Sequence, residues 1–233
     1  MRRLSLLALI ALFPLTSLGG ELMAPVEKRL YLASGAGNVL KEIIPLLPFT
    51  PDNRQACYIA TASMGADWAR YEIDTVRDAG FRVRLTDLAT LSEATVTAAF
   101  RDCEIIFVGG GHTLYLLQEF RRSGFDKLVT RKIAEGIPYV GTSAGSIVLA
   151  PDIECVKFAD KPEQAPELTS FKGLNLFPLV PFVHFDHPDF KANYREIMAF
   201  ALDNDVPFLT LNENQFIFVE GDRWRIVEAA AEP

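Results

Sequence analysis

A chain of 233 residues is long enough to bury one α/β domain, or at most two small ones. Apolar residues at 49% and charged residues at 23% exclude wholesale disorder. A net charge of −7, with no long Lys/Arg run, excludes nucleic-acid binding through a basic face.

Past residue 26, strands and helices alternate. Arg29 to Ala33 reads as a strand closing in Ser34-Gly35-Ala36-Gly37, and Val39 to Leu47 as a helix. Ala56 to Ala60 is a strand, Trp68 to Ala79 a helix, Phe81 to Leu85 a strand and Glu93 to Arg101 a helix. The run 104–108 is continuously apolar after Glu104, as expected of a strand buried on both faces. Glycines 109–111 follow, then helices over Leu114 to Phe120 and Lys127 to Glu135, then a strand at 137–140. Pro151 to Lys172 is polar and proline-bearing, more loop than element. Leu179 to Phe185 reads as a strand, Asp189 to Leu202 as a helix and Phe208 to Leu211 as a strand. Phe216 to Val219 and Trp224 to Val227 end the chain as a hairpin. This alternation predicts an α/β fold: one doubly wound, mostly parallel sheet with helices on both faces and an antiparallel edge. There is no internal repeat.

Cys57, Cys103 and Cys155 are odd in number and lack CxxC or Cys/His spacing. They read as small buried apolar residues rather than a disulfide frame or zinc site. At the start, Met1-Arg2-Arg3, the apolar stretch Leu4 to Leu15 and Thr16-Ser17-Leu18-Gly19-Gly20 have the layout of a signal peptide. The stretch is short for a stable membrane span. Two readings stay open for residues 1–25, a signal peptide or a misassigned start ahead of Met23, with 26–233 as a single domain. The free-cysteine pattern points to the cytoplasm; export is the alternative if residues 1–20 act as a signal.

The most telling segment is Gly141-Thr142-Ser143-Ala144-Gly145, between an apolar strand and the apolar run 147–150. A serine with glycines at ±2 on a strand-to-helix turn fits a nucleophile elbow, its hydroxyl raised above the sheet. The helix start behind it offers backbone N–H groups to an oxyanion. In an open parallel sheet the loops leaving strand C-termini share one rim. Ser143 should therefore meet Gly109-Gly110-Gly111-His112, His184-Phe185-Asp186-His187 and Asn212-Glu213-Asn214. Serine needs a base, and the chain has three histidines. His184, after apolar residues, is the preferred one; in an extended strand it shares a face with Phe182 and Asp186, with His187 opposite. Glu213, after an apolar strand, is suited to orient the imidazole, with Asp186 and Asp160 as rivals. The glycines, with the Ala144 N–H, could form an oxyanion hole. Gly35-Ala36-Gly37 begins a dinucleotide fingerprint that fails at Leu40, so no nucleotide cofactor is expected.

Together these residues resemble the peptidase E (aspartyl dipeptidase) family of serine peptidases. The matching segments are Ile106 to Thr113 with Leu116-Leu117, Val140 to Gly145, Gly173 to Leu179 leading to His184-Phe185, and Leu211 to Asn214, in family order across about 28–228. The resemblance implies a flavodoxin-like fold related to class I glutamine amidotransferases. It implies Ser143 as nucleophile, His184 as base, Glu213 as orienting acid and backbone oxyanion donors at Gly111 and Ala144. Gly110, His112 and Asp160 would border the substrate. The expected activity is hydrolysis of short peptides, including Asp-X dipeptides, through an acyl-enzyme, with no metal or cofactor and with a homodimer compatible. His112 stands where the family usually has Asn, Val183 where Pro is common, and 152–172 matches aspartyl dipeptidases only at Asp160-Lys161-Pro162. Lys157, Lys161 or His187 could meet an acidic substrate. The alternatives are an amidotransferase-like amidase, which would need a cysteine elbow, and a non-catalytic binding or sensor protein of the same fold.

Overall fold

The computed structural model describes residues 27–230, so the N-terminal segment discussed above lies outside the described residues. Nine strands and seven α-helices alternate along them. The main sheet runs β3 (Arg82–Thr86), β2 (Gln55–Ile59), β4 (Ile105–Val108), β5 (Tyr139–Thr142), β1 (Arg29–Ala33), β8 (Gln215–Glu220), β9 (Arg223–Glu228). The first five pair in parallel, and β8 pairs antiparallel with both β1 and β9. β3-β2-β4-β5 repeats the 2-1-3-4 order of flavodoxin-like sheets, with β1 in the next place.

Side-chain alternation fills both faces. Leu30, Leu32, Cys57, Ile59, Ile106 and Val108 face one core. It is covered by α3 (Glu93–Ala99), α4 (Thr113–Ser123), α5 (Phe125–Ala134) and the one-turn α6 (Ala144–Ile147). The residues between them in sequence, Tyr31, Ala33, Ala56, Tyr58, Ile105 and Phe107, face the other. That side carries α1 (Leu40–Ile43) and α2 (Ala69–Asp78). Strands buried on both faces lose the polar half of their pattern, which is why β4 reads as a continuous apolar run.

Several expectations are corrected. The helix expected over Val39 to Leu47 is α1 followed by a 3-10 turn at Ile44–Leu46, because Pro45 has no N–H to continue the ladder. The loop 151–172 contains two 3-10 turns, Glu154–Phe158 and Pro162–Gln164, closed at its base by an Asp152–Lys172 bridge. The expected strand at 179–185 is only β6 (Val180–Phe182), and it lies outside the main sheet. It pairs in parallel with β7 (Phe208–Thr210) as a separate two-stranded ribbon. α7 (Lys191–Asp203) connects the two, making a short parallel crossover unit of its own.

The cysteine reading is also corrected. Cys57 and Cys103 form a disulfide, with Cα atoms 5.6 Å apart, and only Cys155 is free. One sits on β2 and the other just before β4, and those strands are neighbours. Cysteine spacing in the chain carries no signal for a pairing made by sheet order. The ground for a cytoplasmic location is thereby removed, since disulfides persist mainly in oxidising compartments. Among the described residues, no helix is long and apolar enough to cross a membrane.

Candidate active site

Ser143 sits between β5 and α6 with φ 48° and ψ −112°, a backbone region that a non-glycine residue occupies only under constraint. The constraint is visible. Its N–H donates to the Ala33 carbonyl at 2.9 Å, and the Ser146 hydroxyl lies 2.8 Å from both Ala33 O and Gly141 O, its one proton shared between them. The buried Tyr139 hydroxyl donates to Gly145 O at 2.7 Å. The flanking glycines are required by close approach. A Cβ on Gly141 would overlap the Gly145 carbonyl, and one on Gly145 would overlap the Val108 carbonyl of the neighbouring strand.

Gly111, leaving β4, has φ 128°, and a Cβ there would overlap the Ala62 carbonyl. Gly110 packs directly on the Ser143 side chain. Among the described residues the N–H groups of Gly110, Gly111 and Ala144 have no hydrogen-bond acceptor, which leaves them available beside the serine. α6 is a single turn, so the local N–H of Ala144 rather than a long helix dipole is what the elbow supplies.

His184 is two residues beyond the end of β6 and takes φ 57°, so the extended geometry expected for it does not hold. Its placement comes from elsewhere. The His184 N–H donates to Ser34 Oγ at 3.0 Å. That hydroxyl lies 3.3 Å from Leu211 O and 3.1 Å from Asn212 O. Ser34, at the end of β1, therefore ties the main sheet to both loops of the small ribbon. The imidazole stacks on Phe190, centroids 4.5 Å apart, and its Nδ1 meets Glu213 Oε1 at 2.5 Å. A carboxylate only accepts, so Nδ1 carries the proton and Nε2 is left as a base. The Glu213 N–H donates to Asp186 Oδ1 at 3.3 Å, which gives Asp186 a supporting place behind the acid.

Ser143, Gly111 and His184 line one cavity of about 80 Å³. Among the described residues the Ser143 hydroxyl has no hydrogen-bond partner; such bonds in free enzymes often tighten only when substrate binds.

His112 and Asp160 both work at the start of α4. His112 Nδ1 accepts from Tyr115 N at 3.1 Å, and its Nε2 donates to Lys161 O at 3.1 Å. Asp160 accepts from Thr113 N at 2.5 Å and also lines the cavity. Burial pushes the Asp160 carboxyl above its ordinary range, against the pull of His112 and the Thr113 donors. The cations named from the sequence point elsewhere. Lys157 pairs with Glu154 at 2.8 Å and lies over the Phe200 ring, and His187 is 3.9 Å from Asp189. Neither these two nor Lys161 is among the cavity walls.

Glu72 on α2 had no signal in its helical pattern, yet it is buried beneath the elbow. It accepts from Ala36 N at 3.1 Å, Tyr58 OH at 2.8 Å and Thr142 Oγ1 at 3.0 Å. Burial, with the Glu72 charge beside it, pushes the Tyr58 hydroxyl far above its usual range, so it stays a donor. Ser34 was likewise hidden, since a serine at a strand end looks like any turn residue. The free Cys155 is buried, which pushes its thiol up to about 12, and cysteine-based amidase chemistry has no carrier here.

The family model for Peptidase family S51 matches residues 30–227. The uncharacterized peptidase Lin0382 of Listeria innocua serovar 6a is 34% identical over 179 residues, covering 74% of this chain and 83% of that protein. Peptidase E of Shewanella amazonensis is 28% identical over 206 residues, covering 85% and 86%. The crystal structure of a peptidase E candidate from Listeria monocytogenes EGD-e superposes with a TM-score of 0.80 at 26% identity, covering 88% of this chain and 100% of that one. With an elbow serine, a carboxylate-paired histidine and a family match spanning nearly all described residues, the chain belongs to peptidase family S51 and is a serine peptidase.

Proposed function

We propose that the protein cleaves short peptides, dipeptides foremost, through an acyl-enzyme formed on Ser143. The observation that carries this reading is the 2.5 Å contact between His184 Nδ1 and Glu213 Oε1 in a cavity shared by the histidine and Ser143. Ser143 Oγ attacks the scissile carbonyl as its proton passes to His184 Nε2. The tetrahedral oxyanion accepts from the N–H groups of Gly111 and Ala144. Collapse breaks the C–N bond, and the imidazolium returns its proton to the leaving amine. Water then attacks the ester with His184 again as base, releasing the acid and restoring Ser143. Glu213 keeps the imidazole in the tautomer with a free Nε2 and stabilises the imidazolium. Base catalysis contributes roughly 10²–10⁴-fold, and each oxyanion donor roughly 10²–10³-fold.

Ser143→Ala is expected to abolish both dipeptide turnover and fluorophosphonate labelling. Its thermal melt should not fall, since the hydroxyl has no partner to lose. Labelling that persists in this variant would refute the assignment.

A further inference from the structure

The cavity beside Ser143 has a chemistry that the proposed reaction does not by itself dictate. Taking Ser143 as nucleophile and Gly111 as oxyanion donor, which is the reading above, the walls beyond them receive the side chain of the residue that supplies the scissile carbonyl. Those walls are mostly apolar, with Ile147 from α6, Val156 from the 153–160 turn, Val180 and Phe182 from β6, and Ile197 from α7, while Thr113, Asn193 and Tyr194 add polar atoms without charge. No Lys or Arg is among the lining residues; Lys157 pairs with Glu154, and neither Lys161 nor His187 lines the cavity. The one acidic side chain there is Asp160, whose negative sign is wrong for a carboxylate guest. His184, the remaining group able to carry positive charge, is already held by Glu213.

We infer that this subsite takes an uncharged, apolar side chain and rejects an acidic one, so that the favoured substrates are dipeptides beginning with residues such as Leu or Met. At about 80 Å³ the space is several times the ~10–15 Å³ that one water requires, and apolar walls reward burial of an aliphatic chain. An Asp side chain would lose its hydration with no cation in return and would sit beside a second carboxylate.

The test is direct binding to the Ser143→Ala protein, by calorimetric or NMR titration with Leu-Ala and Asp-Ala. Leu-Ala is expected to bind at least tenfold more tightly. Equal affinities, the reverse order, or no binding of either would overturn the inference. Asn193 lines the same cavity from α7 and is only half-buried. Asn193→Arg, which adds the missing cation at a site that tolerates a long side chain, is expected to move the ranking at least tenfold toward Asp-Ala. An unchanged ranking in the folded variant would also overturn it. Because neither readout needs turnover, a failure of Ser143 as nucleophile shows up separately, as a wild-type protein inert to fluorophosphonate whose binding preference is intact.

Discussion

Ser143 and His184 both hold left-handed backbone, at φ 48° and φ 57°, and both are pinned there by hydrogen bonds to β1 or its end. Such conformations cost about 1–3 kcal/mol each and persist where surroundings over-determine them. The proposed nucleophile and base are thus set by neighbours rather than by their own strands. Glu213→Gln preserves the shape but offers His184 an amide that no longer enforces one tautomer. Its kcat is expected to fall by about 10²–10⁴-fold with little change in KM, as steady-state kinetics would reveal. Ser34→Ala frees the His184 N–H and unties the acid loop; kcat should drop roughly tenfold, and fluorophosphonate labelling should slow in parallel, while the melt shifts only modestly. Asp160 gives a pH signature. A carboxyl raised by folding favours the native state below its unfolded value, about 4, and that contribution is lost as pH rises through the raised folded value. Asp160→Asn keeps a cap acceptor at α4 without the buried charge. The Tm of this variant relative to wild type should therefore increase from pH 4 to pH 7, and a difference that stays flat would show that the charge is not the cause.

At the scale of elements, the elbow is a junction of three strands. β5 delivers Ser143, β1 accepts its N–H, and β4 presses its backbone against Gly145. Gly145→Ala forces a methyl into the Val108 carbonyl, where backbone on both sides leaves no flexible group to move. A loss of about 3 kcal/mol or more is expected in denaturant unfolding, with activity lost as the elbow opens. The ribbon of β6 and β7 works differently. It carries His184 and Glu213, the proposed base and acid, on adjacent loops, bonded through Leu211 N to Phe182 O at 2.8 Å and Phe185 N to Leu211 O at 3.0 Å. Base and acid as proposed therefore sit on one unit, which the Ser34 hydroxyl, the Asn38–Asn214 bond and the packing of β6 on α6 tie to the main sheet and the elbow.

Across the whole molecule, the Cys57–Cys103 disulfide closes a span of 46 residues that includes α2, β3 and α3. Chain-entropy reasoning gives such a closure about 4 kcal/mol at most, with about 2–4 kcal/mol typical. Reduction should lower the Tm while leaving turnover intact below the melt, since neither cysteine lines the cavity beside Ser143. Alkylation of the denatured protein should add one group when oxidised, at Cys155, and three after reduction. Three adducts without reductant would show that the bridge is absent from the protein as isolated.

Local pattern was enough to reveal the alternating α/β order, the buried run of β4, and Gly141 to Gly145 as a strained turn, because each depends on side-chain periodicity or on steric needs within a few residues. Ser143 and His184 could be singled out because serine chemistry demands a base and the chain has only three histidines, whereas Glu213 stood beside Asp186 and Asp160 until the resemblance to peptidase E favoured it. The detachment of β6 and β7 into their own ribbon, the left-handed turn at His184, the Ser34 tie, Glu72 beneath the elbow and the Cys57–Cys103 bridge were decided only by the assembled chain. They join residues as much as 178 positions apart, and which distant groups become neighbours is set by strand order and loop packing, which leave no local mark.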